Sequence, residues 1–143
     1  IYFVTNPGAN GLPDKQEGCW FCASSADGTV VFRHQMEQGE AVGALLAIDG
    51  IVLVRVGTDV CVFDPKKLAF VHRLPFAEPC RWMTLYEGNV AAAFCGTSLY
   101  WIDVRERTAR KAADLPASTG TAVMAGGQLY WASGTVLYTL EKG

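Results

Sequence analysis

The chain repeats itself about every 39 residues, and this period constrains its fold more than any single residue does. Short apolar runs are separated by two kinds of glycine-containing turn, and both kinds recur at the same spacing. The first kind contains Gly50, Gly88 and Gly127, and the second contains Gly57, Gly96 and Gly134. Equivalent glycines lie 38 or 39 residues apart. Glycine adopts the positive φ angles of tight turns at little cost, so the pattern indicates a repeated unit of short strands.

Four apolar runs fill each complete repeat, and each run predicts a strand. The predicted strands are 42–48, 51–56, 59–63 and 69–74 in one repeat and 81–86, 90–94, 99–102 and 110–115 in the next. A period near 40 with four strands is typical of a β-propeller blade. We therefore predict an all-β fold, a β-propeller segment of about three and a half four-stranded antiparallel blades. The blades are predicted at 1–41, 42–80, 81–118 and 119–143, within one propeller domain or part of one.

The fourth strand of the third blade has a sequence that also suits a helix. Residues 105–115 are rich in Arg, Lys and Ala, which by propensity alone favour a helix. The corresponding residues 69–74 alternate with the period of a strand, and both segments end at Leu-Pro. We therefore predict an outer strand, whose charged side chains discourage pairing with other chains.

Both ends of the repeat array are incomplete. Residues 119–141 contain three strands, and residues 1–5, 19–22 and 29–32 contain another three, separated by a Pro- and Gly-rich loop at 6–18 that we expect to be long, exposed and mobile. Three completions follow. Further blades of a longer polypeptide complete the ring, which we favour; residues 1–5 complete the last blade of a small four-bladed ring; or a second copy completes a seven-bladed ring.

Composition limits the classes of function. Half of the 143 residues are apolar, 18% are charged, and the net charge is −2, so no overall field recruits nucleic acid or an anionic membrane. The longest uncharged apolar stretch, 41–48, is far shorter than the roughly 20 residues of a membrane-spanning helix. The opening residues are strand-like and give no support for secretion, and the five cysteines are irregularly spaced. We expect free thiols and an intracellular, cytoplasmic location.

Two segments carry a resemblance to a known family. Residues 20–32 resemble the second-to-third strand hairpin, and residues 57–64 resemble the third strand, of degenerate WD-repeat propellers found in intracellular scaffolds. The blade starts lack a Gly-His pair, and Phe63-Asp64 and Ile102-Asp103 replace the Trp-Asp dipeptide. The resemblance implies a propeller that binds other proteins, without the hydrogen-bonded tetrad of regular WD blades.

Residues that carry chemistry are few. Cys19-x-x-Cys22 has the spacing of half a zinc site, but a second pair is missing, so we interpret these cysteines as packing thiols. His34 and His72 have no serine or carboxylate at an informative spacing. We predict no catalytic residue, no cofactor and no metal. Asp64 and Asp103 are interpreted as turn residues.

Basic residues recur around the third and fourth strands of adjacent blades. We predict that they gather on one side and rim of the disc, either as a solvated edge or as a docking patch for an acidic peptide, a phosphopeptide or nucleic acid. These residues are Lys66, Lys67, Arg73, Arg105, Arg107, Arg110 and Lys111.

The opposite face offers a second candidate surface. The segment 76–82 contains Phe76, Arg81 and Trp82, residue types that anchor peptide interfaces. Arg55 is predicted to point into the opening of the propeller on this face. The sequence predicts a non-catalytic interaction or scaffold module, part of a larger protein or complex, that binds a peptide or subunit through these loops. The alternatives are binding of nucleic acid or an acidic ligand by the basic rim, and a propeller enzyme or cofactor binder with an axial site.

Overall fold

A computed structural model describes residues 1–6, 18–37 and 39–140, and this part of the chain forms 14 strands and no helix. The strands make four antiparallel sheets in which neighbours in sequence are neighbours in space. The first sheet contains β1 (Tyr2–Thr5), β2 (Trp20–Ser24) and β3 (Val30–Gln35). The second contains β4 (Val42–Ile48), β5 (Ile51–Val56), β6 (Asp59–Asp64) and β7 (Ala69–Leu74). The third contains β8 (Cys80–Glu87), β9 (Val90–Cys95), β10 (Ser98–Asp103) and β11 (Thr108–Asp114). The fourth contains β12 (Thr121–Ala125), β13 (Gln128–Ser133) and β14 (Val136–Leu140).

The sheets stack radially, each against the next. The first strands of the second, third and fourth sheets, β4, β8 and β12, contact their neighbours in turn. Each of the three gaps between adjacent sheets holds its own apolar cluster. Strands β5 and β9 read as nearly continuous apolar runs because both of their faces are covered, one by each neighbouring sheet. The predicted all-β propeller segment is therefore confirmed.

The cluster between the first and second sheets is aromatic. Phe21 and Phe63 are fully buried, and their ring centroids lie 4.8 Å apart in an edge-to-face arrangement. Phe32 and Phe70 close the cluster on the outer side, at 4.9 Å and 5.5 Å from Phe63. Aromatic pairs at these separations stabilise a core beyond their buried area alone.

The segment with helical propensity is a strand. β11 pairs with β10 over Thr108–Asp114, with Trp101 opposite Arg110 and Ile102 opposite Ala109. Its side chains are nearly all exposed, as expected for an outermost strand. Pairing with β10 outweighs the local helix preference because each paired residue gains ladder hydrogen bonds and tertiary support.

The first sheet differs from the prediction. Thr5, Trp20 and Gln35 are aligned at one end of this sheet, and the chain passes directly from that end into the start of β4. Strand β3 therefore runs in the direction of β7, and its Phe32 packs beside Phe70. The hairpin at 20–32 occupies the third and fourth positions of a blade, so its interpretation as a second-to-third strand hairpin was wrong. The innermost position has no described strand.

The small four-bladed ring is also wrong. Residues 2–5 pair with β2, so they do not complete the sheet of β12, β13 and β14. Most of the predicted long loop, 7–17, lies outside the described residues. Among those residues, no helix is long and apolar enough to cross a membrane.

Candidate functional site

The sheets present two ends with different connections. Because neighbouring strands are antiparallel, the start of β4 lies beside the end of β5, and the start of β8 beside the end of β9. The segments 36–37, 39–41, 75–79 and 115–120 and the turns at Gly57, Gly96 and Gly134 therefore share one end, here called the loop end. A hydrogen bond of 3.3 Å from Gly96 N to Pro79 O joins two of these connections. The opposite end, called the turn end, carries the turns at 49–50, 88–89, 65–68 and 104–107.

Arg81 and Trp82 lie at the loop end, where β8 begins with a bulge. Cys80 is opposite Cys95 and Trp82 is opposite Phe94, so Arg81 is the extra residue and its side chain is exposed. The Trp82 indole N–H donates a 2.8 Å hydrogen bond to Ala122 O of β12 in the next sheet. This bond fixes the ring, yet 38% of Trp82 remains exposed. The two residues form a surface of a fixed aromatic ring and an exposed cation, here called the Arg81–Trp82 surface.

Phe76 and Arg55 also lie at the loop end, but both are used in packing. Phe76 contacts Tyr100 edge-to-face at a centroid distance of 4.9 Å and packs on the core between the second and third sheets. The Arg55 guanidinium lies across Gly43 and donates 3.2 Å and 3.4 Å hydrogen bonds to Val42 O and Gly57 O. A Cβ at Gly43 would lie 2.5 Å from Arg55 Nη2, so glycine is needed for this arrangement. Arg55 therefore does not project freely into the opening of the propeller, contrary to the sequence prediction.

The predicted basic rim is divided between the two ends and the outer strand. Lys66, Lys67, Arg105 and Arg107 lie in the turns at the turn end, whereas Arg73 ends β7 at the loop end. Arg73 donates to Glu40 at 2.9 Å and also to Asp59. Arg110 and Lys111 are exposed along β11. The expectation of one gathered patch is therefore wrong, because β7 runs from the 65–68 turn at the turn end to the loop end, where Arg73 lies.

Carboxylates accompany most of these cations. Arg105 donates to Asp49 across the second and third sheets at 2.7 Å, and this hydrogen bond, with the positive charge of Arg105, holds the pKa of the Asp49 carboxyl below its usual range. Lys67 lies 3.9 Å from Asp64, and Lys111 pairs with Asp114. Within the described ranges, Lys66, Arg107 and Arg110 make no ion pair. The local positive charge is therefore much smaller than the sequence count suggests.

Asp64 and Asp103 play the predicted structural part. Asp64 Oδ1 accepts the backbone N–H of Lys66 at 2.9 Å, and Asp103 Oδ1 accepts that of Arg105 at 2.9 Å. Each carboxylate thereby satisfies turn donors that the following strand leaves unpaired. These turns orient Lys66 and Arg105 at the turn end.

The cysteines are free and buried. Cys19 packs in the core between the first and second sheets and donates from Sγ to Asn6 Oδ1 at 3.0 Å. Over residues 1–6, 18–37 and 39–140, no group of three or more His, Cys, Asp or Glu side chains is placed to hold a metal ion. Burial raises the pKa of the Cys61 thiol to about 11.

A cavity at the loop end escaped the sequence analysis. It measures about 360 Å³ and lies between the first and second sheets, with Cys61, Phe70 and His72 on one side and His34 and Met36 on the other. The repeated Phe-x-His of Phe32-His34 and Phe70-His72 was the available signal. It aligns β3 with β7 and would have placed the two histidines on neighbouring outer strands.

Comparison with known proteins supports the fold. The chain matches no protein-family model and no curated protein. Among solved structures, it is similar to a chain in the crystal structure of the Mitotic Checkpoint Complex, with a TM-score of 0.65 and 10% sequence identity. The match covers 80% of this chain and 37% of the other, so this chain spans well under half of that structure. At this identity, the likeness concerns the fold alone.

Proposed function

We propose that this chain is a non-catalytic, WD-repeat-like protein-interaction module that binds a peptide or a protein subunit at the Arg81–Trp82 surface. The observation that carries the proposal is a tryptophan held by an inter-sheet hydrogen bond while 38% of it stays exposed. A fixed aromatic ring loses little conformational entropy on binding, and Trp and Arg dominate interface hot spots. Buried, unpaired thiols fit an intracellular location for such a module.

The alternative of nucleic-acid binding has less support. Four of the seven rim cations pair with carboxylates, and Arg73 lies at the other end from the turn residues. Each paired cation would have to give up its carboxylate before it could neutralise a phosphate.

Loss of the Arg81 side chain should reduce partner recovery. We expect affinity purification with Arg81→Ala or Trp82→Ala to recover at least one specific partner about thirty-fold less than wild type does, because a hot-spot truncation costs about 2 kcal/mol of binding free energy. Quantitative mass spectrometry of the co-purified proteins measures this.

A second Trp–Arg pair provides the matched control. Arg33 lies over the Trp20 ring at 4.7 Å, on a different sheet. Arg33→Ala should leave recovery at the wild-type level. Arg81 is exposed, so Arg81→Ala tests the surface without a packing loss. Equal partner recovery by wild type and Arg81→Ala contradicts the proposal.

We also propose that further blades of a longer polypeptide cover the outward face of the fourth sheet. Val123 and Leu137 on this face are 57% and 69% exposed. Their cross-strand partners, Tyr130 and Ala132, add to the same face. The structure that this chain resembles continues far beyond the matched 37%, which supports further blades as the occupant.

The molecular mass in solution separates a second copy from further blades. We expect the 143-residue chain to remain monomeric across a hundred-fold concentration range in light scattering. A dimer that Leu137→Asp dissociates would overturn the proposal and identify a second copy as the occupant. Leu85→Asp, at an exposed leucine of the third sheet, is the control for added charge.

A further inference from the structure

The loop-end cavity between the first and second sheets exists because one position is small. Cys61 in β6 and Tyr100 in β10 occupy equivalent places, the third residue of each strand: Cys61 is opposite Arg73 and Tyr100 is opposite Lys111. Between the second and third sheets, the Tyr100 and Phe76 rings fill the gap, and their centroids lie 4.9 Å apart. Between the first and second sheets, Cys61 and Met36 leave about 360 Å³ open.

The wall of the cavity is apolar and aromatic. Met36, Val56 and Cys61 are buried and form its inner side. Phe70 and His34 approach edge-to-face at 5.2 Å on the outer side. Such a wall suits an aliphatic or aromatic side chain, since each contact removes apolar surface from water.

The mouth of the cavity is acidic. Glu37 and Glu40 line it, and Asp59 lies beside them against Arg73. Three carboxylates and one guanidinium leave a formal charge of −2 at the mouth. Arg73 already binds Glu40 and Asp59, so an anionic ligand would have to displace a carboxylate. The exposed Glu37 carboxylate makes no ion pair with any described residue and remains available to a cation.

We infer that this cavity is a second peptide-binding site, separate from the Arg81–Trp82 surface, for a segment of another protein with an apolar side chain next to a lysine or arginine. The apolar side chain enters the cavity and packs on Met36, Val56 and Cys61, and the cation pairs with Glu37. Charge complementarity selects this occupant over an acidic or phosphorylated segment.

Chemical-shift changes at the two histidines report on the cavity. The probe is an acetylated, amidated pentapeptide of alternating lysine and leucine, titrated into ¹³C,¹⁵N-labelled protein. We expect saturable shifts of the His34 and His72 ring signals, and much smaller shifts with the matched peptide of alternating glutamate and leucine. Glu37→Lys should weaken the lysine peptide about three- to ten-fold, because an exposed attraction becomes a repulsion.

Filling the cavity tests the geometry. Cys61→Tyr places in the second sheet the side chain that the third sheet already accommodates, and it should abolish the histidine shifts. Cys61→Ala keeps the cavity open and should bind as wild type does. Glu106→Gln, at the turn end, controls for loss of a remote negative charge. Thermal unfolding confirms that each variant is folded, and Glu37→Lys decides the matter if Cys61→Tyr is not.

Three results would overturn the inference. The first is unchanged binding by the folded Cys61→Tyr variant, or by Glu37→Lys where Cys61→Tyr does not fold. The second is equal binding of the glutamate peptide. The third is concentration-dependent histidine shifts without peptide, which would make a second copy the occupant. Trp82→Ala should leave this titration unchanged, so failure here and failure of the Arg81–Trp82 surface are distinguishable.

Discussion

Replacing Phe63 with alanine is expected to lower the free energy of unfolding by about 3–5 kcal/mol. Phe63 is fully buried, and the rings of Phe21, Phe32 and Phe70 surround it at 4.8–5.5 Å. The substitution removes transfer free energy and leaves a cavity that rigid strands on both sides cannot collapse. Urea denaturation followed by circular dichroism measures the change as a lower midpoint at an unchanged slope.

An exposed residue controls for truncation as such. Leu137→Ala removes three carbons from a side chain that is 69% exposed, and it should change stability by no more than about 0.5 kcal/mol. A loss below about 1 kcal/mol for Phe63→Ala would mean that the first and second sheets do not share a core.

Enlarging Ala92 to leucine is the second large effect, with an expected loss of about 1–3 kcal/mol. Ala92 is fully buried in β9, opposite Thr84 of β8 and Trp101 of β10. Its face meets the fourth sheet, where Leu129 and Trp131 are also buried. Added carbons have no space there and force neighbouring strands apart. The midpoint of thermal unfolding should fall by several degrees.

Ala47→Leu is the matched control for this enlargement. Ala47 lies in β4 and is exposed, so the added carbons extend into solvent and stability should change little. Equal losses for Ala92→Leu and Ala47→Leu would contradict the close packing of neighbouring sheets.

Strand positions were predictable because a strand is a local pattern. The bounds 42–48, 51–56 and 69–74 agree with the observed strands, since apolar runs between Gly, Asp and Pro specify where a strand begins and ends. The outer strand within residues 105–115 was predicted despite their helical propensity, because these residues correspond to the strand 69–74 in the preceding repeat.

Strand order in the first sheet was not predictable from one local match. Gly28-Thr29 resembles the turns at Gly57 and Gly96, and this local match predicted a second-to-third strand hairpin at 20–32. In the structure, Phe32 packs beside Phe70 of the outer strand β7. The sequence did not reveal this, because third strands and outer strands have the same alternation of side chains. The placement of Arg55 and of the basic residues was wrong for a similar reason. The direction in which a side chain points depends on which strand pairs with its own.

From its sequence alone, this chain is an array of short strands with a 39-residue period, since turn chemistry and apolar alternation act over a few residues. Tertiary structure decided which sheet each terminal strand joins and which cations pair with carboxylates. It also decided that the Trp82 indole binds Ala122 O and that a cavity lies beside Cys61. These features depend on residues distant in sequence meeting across a gap between sheets, where a single side-chain volume determines whether the gap closes.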